Sequence, residues 1–81
     1  MEALDGNAIA GGMLEVFGSE MTDVSARCRF CGDTSYLAEL RVYMRAPGAV
    51  GRCQRCMNVV LVMTRIRGTA RVDVSGIEMP D

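Results

Sequence analysis

Four cysteines in two close pairs constrain the fold of this chain more than any other feature of its sequence. Each pair has the form Cys-x2-Cys, and the four are Cys28, Cys31, Cys53 and Cys56. A Cys-x2-Cys turn places two sulfurs near enough to bind one ion, and Zn²⁺ prefers four ligands in a tetrahedron. Two such turns fill every ligand position with protein and leave none for water or substrate. The spacing therefore predicts one structural Zn²⁺ and no catalytic metal.

Other uses of four cysteines stay open at this level. Two disulfides or four ordinary thiols are the alternatives to a metal, and a four-thiolate site also suits iron. Rubredoxin-like iron proteins resemble this chain in spacing, but they usually have aromatic residues around the metal and glycine after both pairs. Here Gly32 follows the first pair and Met57-Asn58 follows the second. We expect zinc rather than iron, and a less regular second turn in which Asn58 takes the role of glycine.

The short length of the chain makes a metal staple useful. A single core at this size rarely supplies more than about 3–5 kcal/mol of stability. The chain has 81 residues, no Trp, two Phe and two Tyr, although half of its residues are apolar. We expect residues 1–81 to form one domain.

Residues 5–17 have the pattern of a short amphipathic helix. Asp5 or Asn7 is suited to cap its start, and Gly18 stands where a C-terminal glycine cap belongs. The apolar face at helical spacing consists of Ala8, Ile9, Gly12, Met13, Val16 and Phe17. The small residues Ala8 and Gly12 would let this helix approach a sheet closely.

From Cys28 onward the pattern is that of β-strands. Alternation predicts a strand over 36–44, a turn over 46–49 and strands over 50–53, 59–67 and 70–75. The predicted fold is small and mixed but mostly β. It is an antiparallel zinc-ribbon sheet over residues 25–76 with the N-terminal α-helix packed on it.

The apolar run from Val59 to Met63 lacks polar alternation. Such a run is typical of a strand covered on both faces. The helix would cover one face, and a second copy of the chain or another partner would cover the other. The alternative is that the second face is only half exposed.

The pattern Cys-x2-Cys-Gly followed by Cys-x2-Cys resembles that of zinc ribbons, the small cysteine-bearing sheets of transcription factors, RNA polymerase subunits and ribosomal proteins. The whole chain also resembles short actinobacterial proteins of unknown function. The likeness rests on the cysteine pairs and on two segments, Ala-Leu-Asp-Gly-Asn-Ala at 3–8 and Phe-Gly-x-Glu-Met-Thr at 17–22. It implies a cytoplasmic bacterial protein and brings no activity with it.

Charge is distributed unevenly along the chain although its formal net charge is −1. Residues 1–26 contain acidic residues and no basic ones, whereas all nine arginines lie in residues 27–76. Alternation would place several arginines on one sheet face with an aromatic ring: Arg41, Tyr43, Arg45, Arg65, Arg67 and Arg71. This set is a candidate surface for nucleic acid or another partner. The alternative is a solvated face whose arginines pair with Glu39 and Asp73.

These features favour a binding protein over an enzyme. The chain has no His, the commonest general base, and no glycine-rich phosphate loop. Its first residues are acidic, where an export signal would be basic and then apolar, so we expect no export signal. Its longest apolar run is far shorter than the roughly 20 residues of a membrane span. We expect a cytoplasmic protein-interaction adaptor or regulator that binds another protein or a second copy of itself, and no membrane or small-molecule substrate. Nucleic-acid binding is the alternative, and a metallochaperone or redox sensor is a third, weaker hypothesis.

Overall fold

The structure, a computed structural model, describes residues 4–45 and 48–79. Within these ranges a 3-10 turn at Gly6–Ile9 leads into helix α1 at Ala10–Phe17, and the strands follow. They are β1 Ser25–Cys28, β2 Thr34–Tyr36, β3 Arg41–Arg45, β4 Gly48–Arg52, β5 Val59–Ile66, β6 Thr69–Asp73 and β7 Ile77–Glu78. A second 3-10 turn, Leu37–Glu39, separates β2 from β3.

The strands form two antiparallel sheets. A small sheet has the order β2-β1-β7, and a large sheet has the order β3-β4-β5-β6. The predicted class, mostly β with one short N-terminal helix, is therefore confirmed, although the strands are divided between two sheets instead of one. In the described residues no helix has the length and apolar character needed to cross a lipid bilayer.

The division arises where the sequence predicts one strand over 36–44. The 3-10 turn at Leu37–Glu39 interrupts that strand, and Leu37 is buried within the turn. The Glu39 carboxylate closes the turn by accepting a hydrogen bond from the Tyr36 N–H at 2.9 Å. The chain thus leaves the small sheet at Tyr36 and enters the large sheet at Arg41. The prediction of a continuous strand is wrong because local capping replaces extended backbone here.

The helix predicted over 5–17 ends as predicted, but it starts as the 3-10 turn, which Asp5 caps, and becomes α-helical only at Ala10. Asp5 Oδ1 accepts a hydrogen bond from the Asn7 N–H at 3.0 Å, and Gly18 ends α1 with a left-handed φ of 74°. Ile9, Gly12 and Met13 are buried, whereas Ala8 and the two predicted apolar residues of the last turn, Val16 and Phe17, are exposed. The buried face is therefore one turn shorter than predicted.

Gly12 allows α1 to approach the large sheet closely. A Cβ on Gly12 would lie 2.5 Å from the sulfur of Met63 in β5. The close approach predicted from small helix residues is confirmed for Gly12, whereas exposed Ala8 does not share it.

Strand β5 is buried on the face that α1 covers, and partly on the other. Leu61 and Met63 are buried on the helix side. On the other face Val60 is buried against Gly76, whereas Val62 is 36% exposed. The helix covers one face of the large sheet, and the other face is half exposed. This is the alternative that the sequence left open beside a strand covered on both faces.

Strand β7 was not predicted, and it completes the small sheet. Cys28 pairs with Ile77, and Gly76 lies so close to β5 that a Cβ there would be 2.4 Å from the Val60 Cα. The small sheet therefore extends beyond residue 76, the predicted end of the β region. The predicted turn over 46–49 falls partly outside the described residues, namely at Ala46 and Pro47, while Gly48 and Ala49 belong to β4.

Candidate metal centre

The four cysteine sulfurs form one compact cluster. All four Sγ atoms lie within 4.8 Å of one another. Two pairs, Cys28 with Cys56 and Cys31 with Cys53, are 3.7 Å apart. Zn–S bonds of about 2.3 Å in a tetrahedron place sulfurs about 3.8 Å apart. Both short separations match that edge, so the donor set fits a tetrahedral metal ion.

The two halves of the cluster come from different sheets. Cys28 is the last residue of β1 in the small sheet, and Cys31 follows in the turn towards β2. Cys53 directly follows β4 of the large sheet, and Cys56 lies in the turn towards β5. An ion bound by all four sulfurs would therefore join the two sheets. Each of the two short sulfur–sulfur contacts runs from one cysteine turn to the other.

The first cysteine turn has three characteristic hydrogen bonds. The Cys28 N–H donates to the Asp33 carbonyl at 2.8 Å, and the Gly32 N–H donates to the Cys28 carbonyl at 2.9 Å. The Phe30 N–H points at the Cys28 sulfur, 3.4 Å away. Gly32 has a φ of 79°, which is the left-handed conformation that glycine adopts at little cost.

The second turn repeats this pattern position by position. The Cys53 N–H donates to the Asn58 carbonyl at 3.0 Å, and the Met57 N–H donates to the Cys53 carbonyl at 2.9 Å. The Arg55 N–H lies 3.4 Å from the Cys53 sulfur. The expectation of a less regular second turn is therefore wrong, because both turns have the same backbone hydrogen bonds.

Met57, and not Asn58, takes the position of Gly32 in the second turn. Its φ is 63°, so a non-glycine residue adopts the left-handed conformation there. Asn58 has another role, because its side-chain Nδ2 lies 3.4 Å from the Cys56 sulfur. The sequence prediction placed the strained backbone one residue too late, and it missed the amide that faces the sulfur.

The four thiols differ in their proton affinity. Hydrogen bonds from the Asn58 backbone and side chain lower the pKa of Cys56 to about 6, against an opposing effect of burial. For Cys31, the Asp33 backbone N–H lowers the pKa, but burial and the three neighbouring thiols together raise it to about 12. Such a spread is expected when titrating groups share a small volume, since the first thiolate disfavours the next. A divalent cation would offset this repulsion between the sulfurs and stabilise all four thiolates.

Three arginines lie around the cysteine turns. Arg55 lies 3.7 Å from the Asp33 carboxylate, so an ion pair joins the two cysteine turns. Arg29 lies 3.6 Å from Glu78, and Arg52 donates a hydrogen bond to the Met57 carbonyl at 2.7 Å. Positive charge close to the sulfurs favours their thiolate form.

The predicted arginine surface is divided by the register of the large sheet. Arg41, Tyr43 and Arg45 alternate onto one face of β3, and the pairing of Gly48 with Thr64 and of Thr64 with Arg71 adds Arg71 to that face. Arg65 is on the opposite face, where its guanidinium lies 3.0 Å from Glu15 of α1. Arg67 occupies the β5–β6 turn with a φ of 54°. The predicted shared face is therefore wrong for these last two residues.

One further arginine belongs to the same face and was not assigned to it from the sequence. Arg52 pairs with Arg41 across β3 and β4, and its guanidinium carbon lies 6.0 Å from the centre of the Tyr43 ring. In residues 4–45 and 48–79, Glu39 and Asp73 do not form the expected ion pairs with these arginines. Glu39 accepts from Tyr36 and Gln54, and Asp73 accepts from the Ser75 N–H.

Comparison with known proteins places the chain in a family. The sequence profile described as "Family of unknown function (DUF6510)" matches residues 1–80, so the chain belongs to that family. No curated protein and no solved structure matches the chain.

Proposed function

We propose that this member of the DUF6510 family is a non-enzymatic zinc ribbon of the bacterial cytoplasm that acts as a protein-interaction adaptor. One structural Zn²⁺, bound by Cys28, Cys31, Cys53 and Cys56, would hold its two sheets in a fixed relation. The outer surface of the large sheet would then serve as the binding surface.

The sulfur geometry is the observation that carries this proposal. Two sulfur separations of 3.7 Å agree with the edge of a zinc–thiolate tetrahedron, and each crosses between the turns of different sheets. All four cysteines carry free thiols, as metal ligation requires. A reducing cytoplasm would keep them so, since disulfides are rare there.

The donor set also supports a structural over a catalytic role. Four thiolates complete the tetrahedral shell of Zn²⁺, so the ion would have no open position for substrate. The chain has no His to act as a general base. Binding is then the function that remains for the exposed surface.

Metal analysis of the purified protein tests the zinc site. We expect one Zn²⁺ per chain, and we expect Cys56→Ser to lose most of it because a hydroxyl is a poor zinc ligand. Gln54→Ser in the same turn is the matched control and should keep its metal. A folded wild-type protein without metal, or one containing iron in place of zinc, would contradict the proposal.

Nucleic-acid binding is the second candidate function, favoured by one observation. Arg41, Arg45, Arg52 and Arg71 share a face with Tyr43. The net charge of −1 and the single ring on that face make it the weaker candidate. Its test is binding of single-stranded DNA that weakens steeply with salt and is lost in Arg41→Ala with Arg71→Ala.

A further inference from the structure

The face of the large sheet that α1 does not cover is an organised surface, which we name the open face. Its rows follow the strand register. The central row consists of Tyr43, Val50, Val62 and Asp73, the row on one side contains Arg41 and Arg52, and the row on the other contains Arg45, Gly48, Thr64 and Arg71. Ile66 and Thr69 continue it beyond the second of these outer rows.

Positive charge dominates the open face. Arg41, Arg45 and Arg71 are exposed, and Arg52 is half-buried beside Tyr43. Within residues 4–45 and 48–79, none of these four guanidinium groups takes part in an ion pair. The one acid in the rows, Asp73, lies at the end of the central row and accepts a hydrogen bond from the Ser75 N–H. The face therefore has free capacity for anionic groups.

The centre of the open face is apolar. Tyr43 pairs with Val50, and Val50 pairs with Val62, so three apolar side chains lie side by side across three strands. Val62 is 36% exposed, and Ile66 beyond the outer row is 54% exposed. An apolar centre with a polar rim, enriched in Arg and Tyr, is the typical anatomy of a protein–protein interface.

The spacing of the arginine rows indicates the conformation and charge pattern that a partner segment would need. Arg41 and Arg45 are four residues apart on one strand, which at 3.3–3.4 Å per residue is about 13 Å. An extended segment lying along β3 spans the same distance with acidic residues at positions i and i+4. Its residue i+2 would then lie over Tyr43 and its apolar neighbours.

Two other occupants fit this surface less well. A second copy of the chain that paired open face to open face would bring eight arginines together, and like charges across an interface are unfavourable. A nucleic acid needs flat rings on which bases stack. Here the centre is aliphatic apart from Tyr43, and the Arg52 guanidinium already lies 6.0 Å from that ring.

We propose that the open face binds an acidic segment of a partner protein. Carboxylates of that segment contact the two arginine rows, and an aliphatic side chain between them packs on Tyr43, Val50 and Val62. This assignment rests on the adaptor function proposed above and names the class of partner.

A defined peptide tests it directly. The probe is a synthetic peptide that repeats Glu-Ser-Val-Ser, and binding to the zinc-loaded full chain is followed by amide chemical shifts. We expect shift changes confined to the open face and an affinity that falls with salt. Peptides with Gln for Glu, or with Ser for Val, should bind at least about tenfold more weakly because each lacks one of the two matching features.

Variants of the protein provide the matched comparison. Arg45→Gln with Arg71→Gln removes one exposed arginine row and should weaken binding by about tenfold or more. Arg27→Gln alters an exposed arginine of the small sheet and should leave binding unchanged. Zinc content and thermal unfolding are measured on each variant, so that loss of binding is separated from loss of fold.

Four results would overturn the assignment. Two concern the peptide: no shift change up to about 1 mM, the range of weak association, or shift changes outside the open face. The third is an unchanged affinity in the double arginine variant. The fourth is oligo(dT) bound as tightly as the peptide, which would identify nucleic acid as the occupant. A folded, zinc-loaded protein that ignores the peptide would overturn the partner class and leave the structural zinc intact. Failure of the metal analysis would instead remove the zinc site.

Discussion

Met57 is the residue whose backbone conformation fits its residue type least well. The hydrogen bonds of the second cysteine turn require a left-handed residue at this position, as they require Gly32 in the first. A non-glycine residue in that conformation costs roughly 1–2 kcal/mol. The Met57 side chain is exposed, so burial contributes little to offset that cost.

Replacing Met57 by glycine should therefore stabilise the protein. Relief of the left-handed strain exceeds the extra chain entropy of glycine, about 0.5–1 kcal/mol, so a net gain of up to about 1 kcal/mol in the free energy of unfolding is expected. Gly32→Ala is the mirror experiment and should lose about 1 kcal/mol. Urea unfolding of the zinc-loaded proteins measures both, and a Met57→Gly protein no more stable than wild type would contradict the strain.

Asn58 should influence how firmly the metal is held at low pH. Its backbone N–H and side-chain amide lower the pKa of Cys56 to about 6, which favours the thiolate. Protons compete with zinc for the thiolate, so the lowered pKa lets Cys56 keep the ion down to a lower pH than an ordinary thiol would.

Removing the Asn58 amide should move the release to higher pH. In Asn58→Ala the side-chain hydrogen bond to the Cys56 sulfur is gone, so protons compete with zinc more effectively. Titration of zinc release against pH with a coloured chelator measures the midpoint. Asn7→Ala, the same change in the N-terminal 3-10 turn, is the control, and equal midpoints in both variants would contradict a role for the amide.

The cysteine residues themselves were readable from the sequence, whereas the roles of their neighbours were not. The spacing of two Cys-x2-Cys pairs has few interpretations, and it correctly predicted that the four sulfurs cluster. The role of Met57 was missed because propensity favours Asn in left-handed backbone, while hydrogen bonding in the turn fixes the position independently of residue type.

At the scale of one element, the two adjacent glycines of α1 differ in the space around them. A Cβ on Gly11 would meet nothing within 4 Å, whereas a Cβ on Gly12 would collide with the Met63 side chain. Both positions lie inside the helix, where glycine is about 1 kcal/mol less favourable than alanine. Only Gly12 has a packing reason to be small.

The two alanine variants should consequently differ. Gly11→Ala should raise the free energy of unfolding by up to about 1 kcal/mol through helix propensity alone. Gly12→Ala gains the same propensity but must displace the Met63 sulfur, so it should be clearly less stable than Gly11→Ala. Thermal and urea unfolding of the pair measure the difference, and equal stabilisation of both would show that α1 does not pack as closely as described.

Strand register explains why the arginine surface was only partly predicted. Side chains alternate with period two, so a shift of one residue transfers a whole strand to the opposite face. Gly48, which pairs with Arg45, pairs on its other side with Thr64, so Arg65 lies on the opposite face, where it contacts Glu15. Alternation within one strand does not reveal which of its residues face those of the neighbouring strand, and the sequence therefore placed Arg65 together with Arg45.

At the scale of the whole molecule, the cysteine cluster links two small sheets. The small sheet has three short strands, and a few backbone contacts join it to the large one, among them the Gly76 N–H to the Val60 carbonyl at 3.2 Å. One hydrophobic cluster spans both sheets, with Ala26 and Ile77 from the small sheet and Val60 and Leu61 from the large one. Stability of the assembly should in addition depend on the Zn²⁺ proposed to join the two sheets.

Removal of zinc should therefore unfold both sheets together. We expect a strong chelator to abolish β-structure in one cooperative transition, because the thiolates then lack the charge that holds them close. Far-ultraviolet circular dichroism and amide signals from β1 and β5 report the two sheets separately. Loss of the small sheet alone, or full retention of structure after complete metal removal, would contradict this dependence.

The sequence predicts the class of the fold better than its connections. Alternating apolar residues and glycine turns indicate antiparallel strands, and that class is confirmed. Division into two sheets depends on the buried 3-10 turn at Leu37–Glu39 and on the pairing of β7 with β1. The turn combines the local Glu39 cap with hydrogen bonds from the Leu37 and Ala38 N–H groups to the segment before β1, and β7 lies far from β1 in the sequence. The cytoplasmic location, the single domain over 1–81 and the absence of catalysis stay predictions.

The pairing of β1 with β7 also sets an order of events during synthesis. The ribosome releases a chain from its N-terminus, so all four cysteines emerge before Ile77 does, and β1 waits for its second neighbour. Metal capture can thus come before closure of the small sheet. Residues 28–58 contain all four ligands, so zinc bound once this segment has emerged would hold the two turns together until β7 pairs with β1.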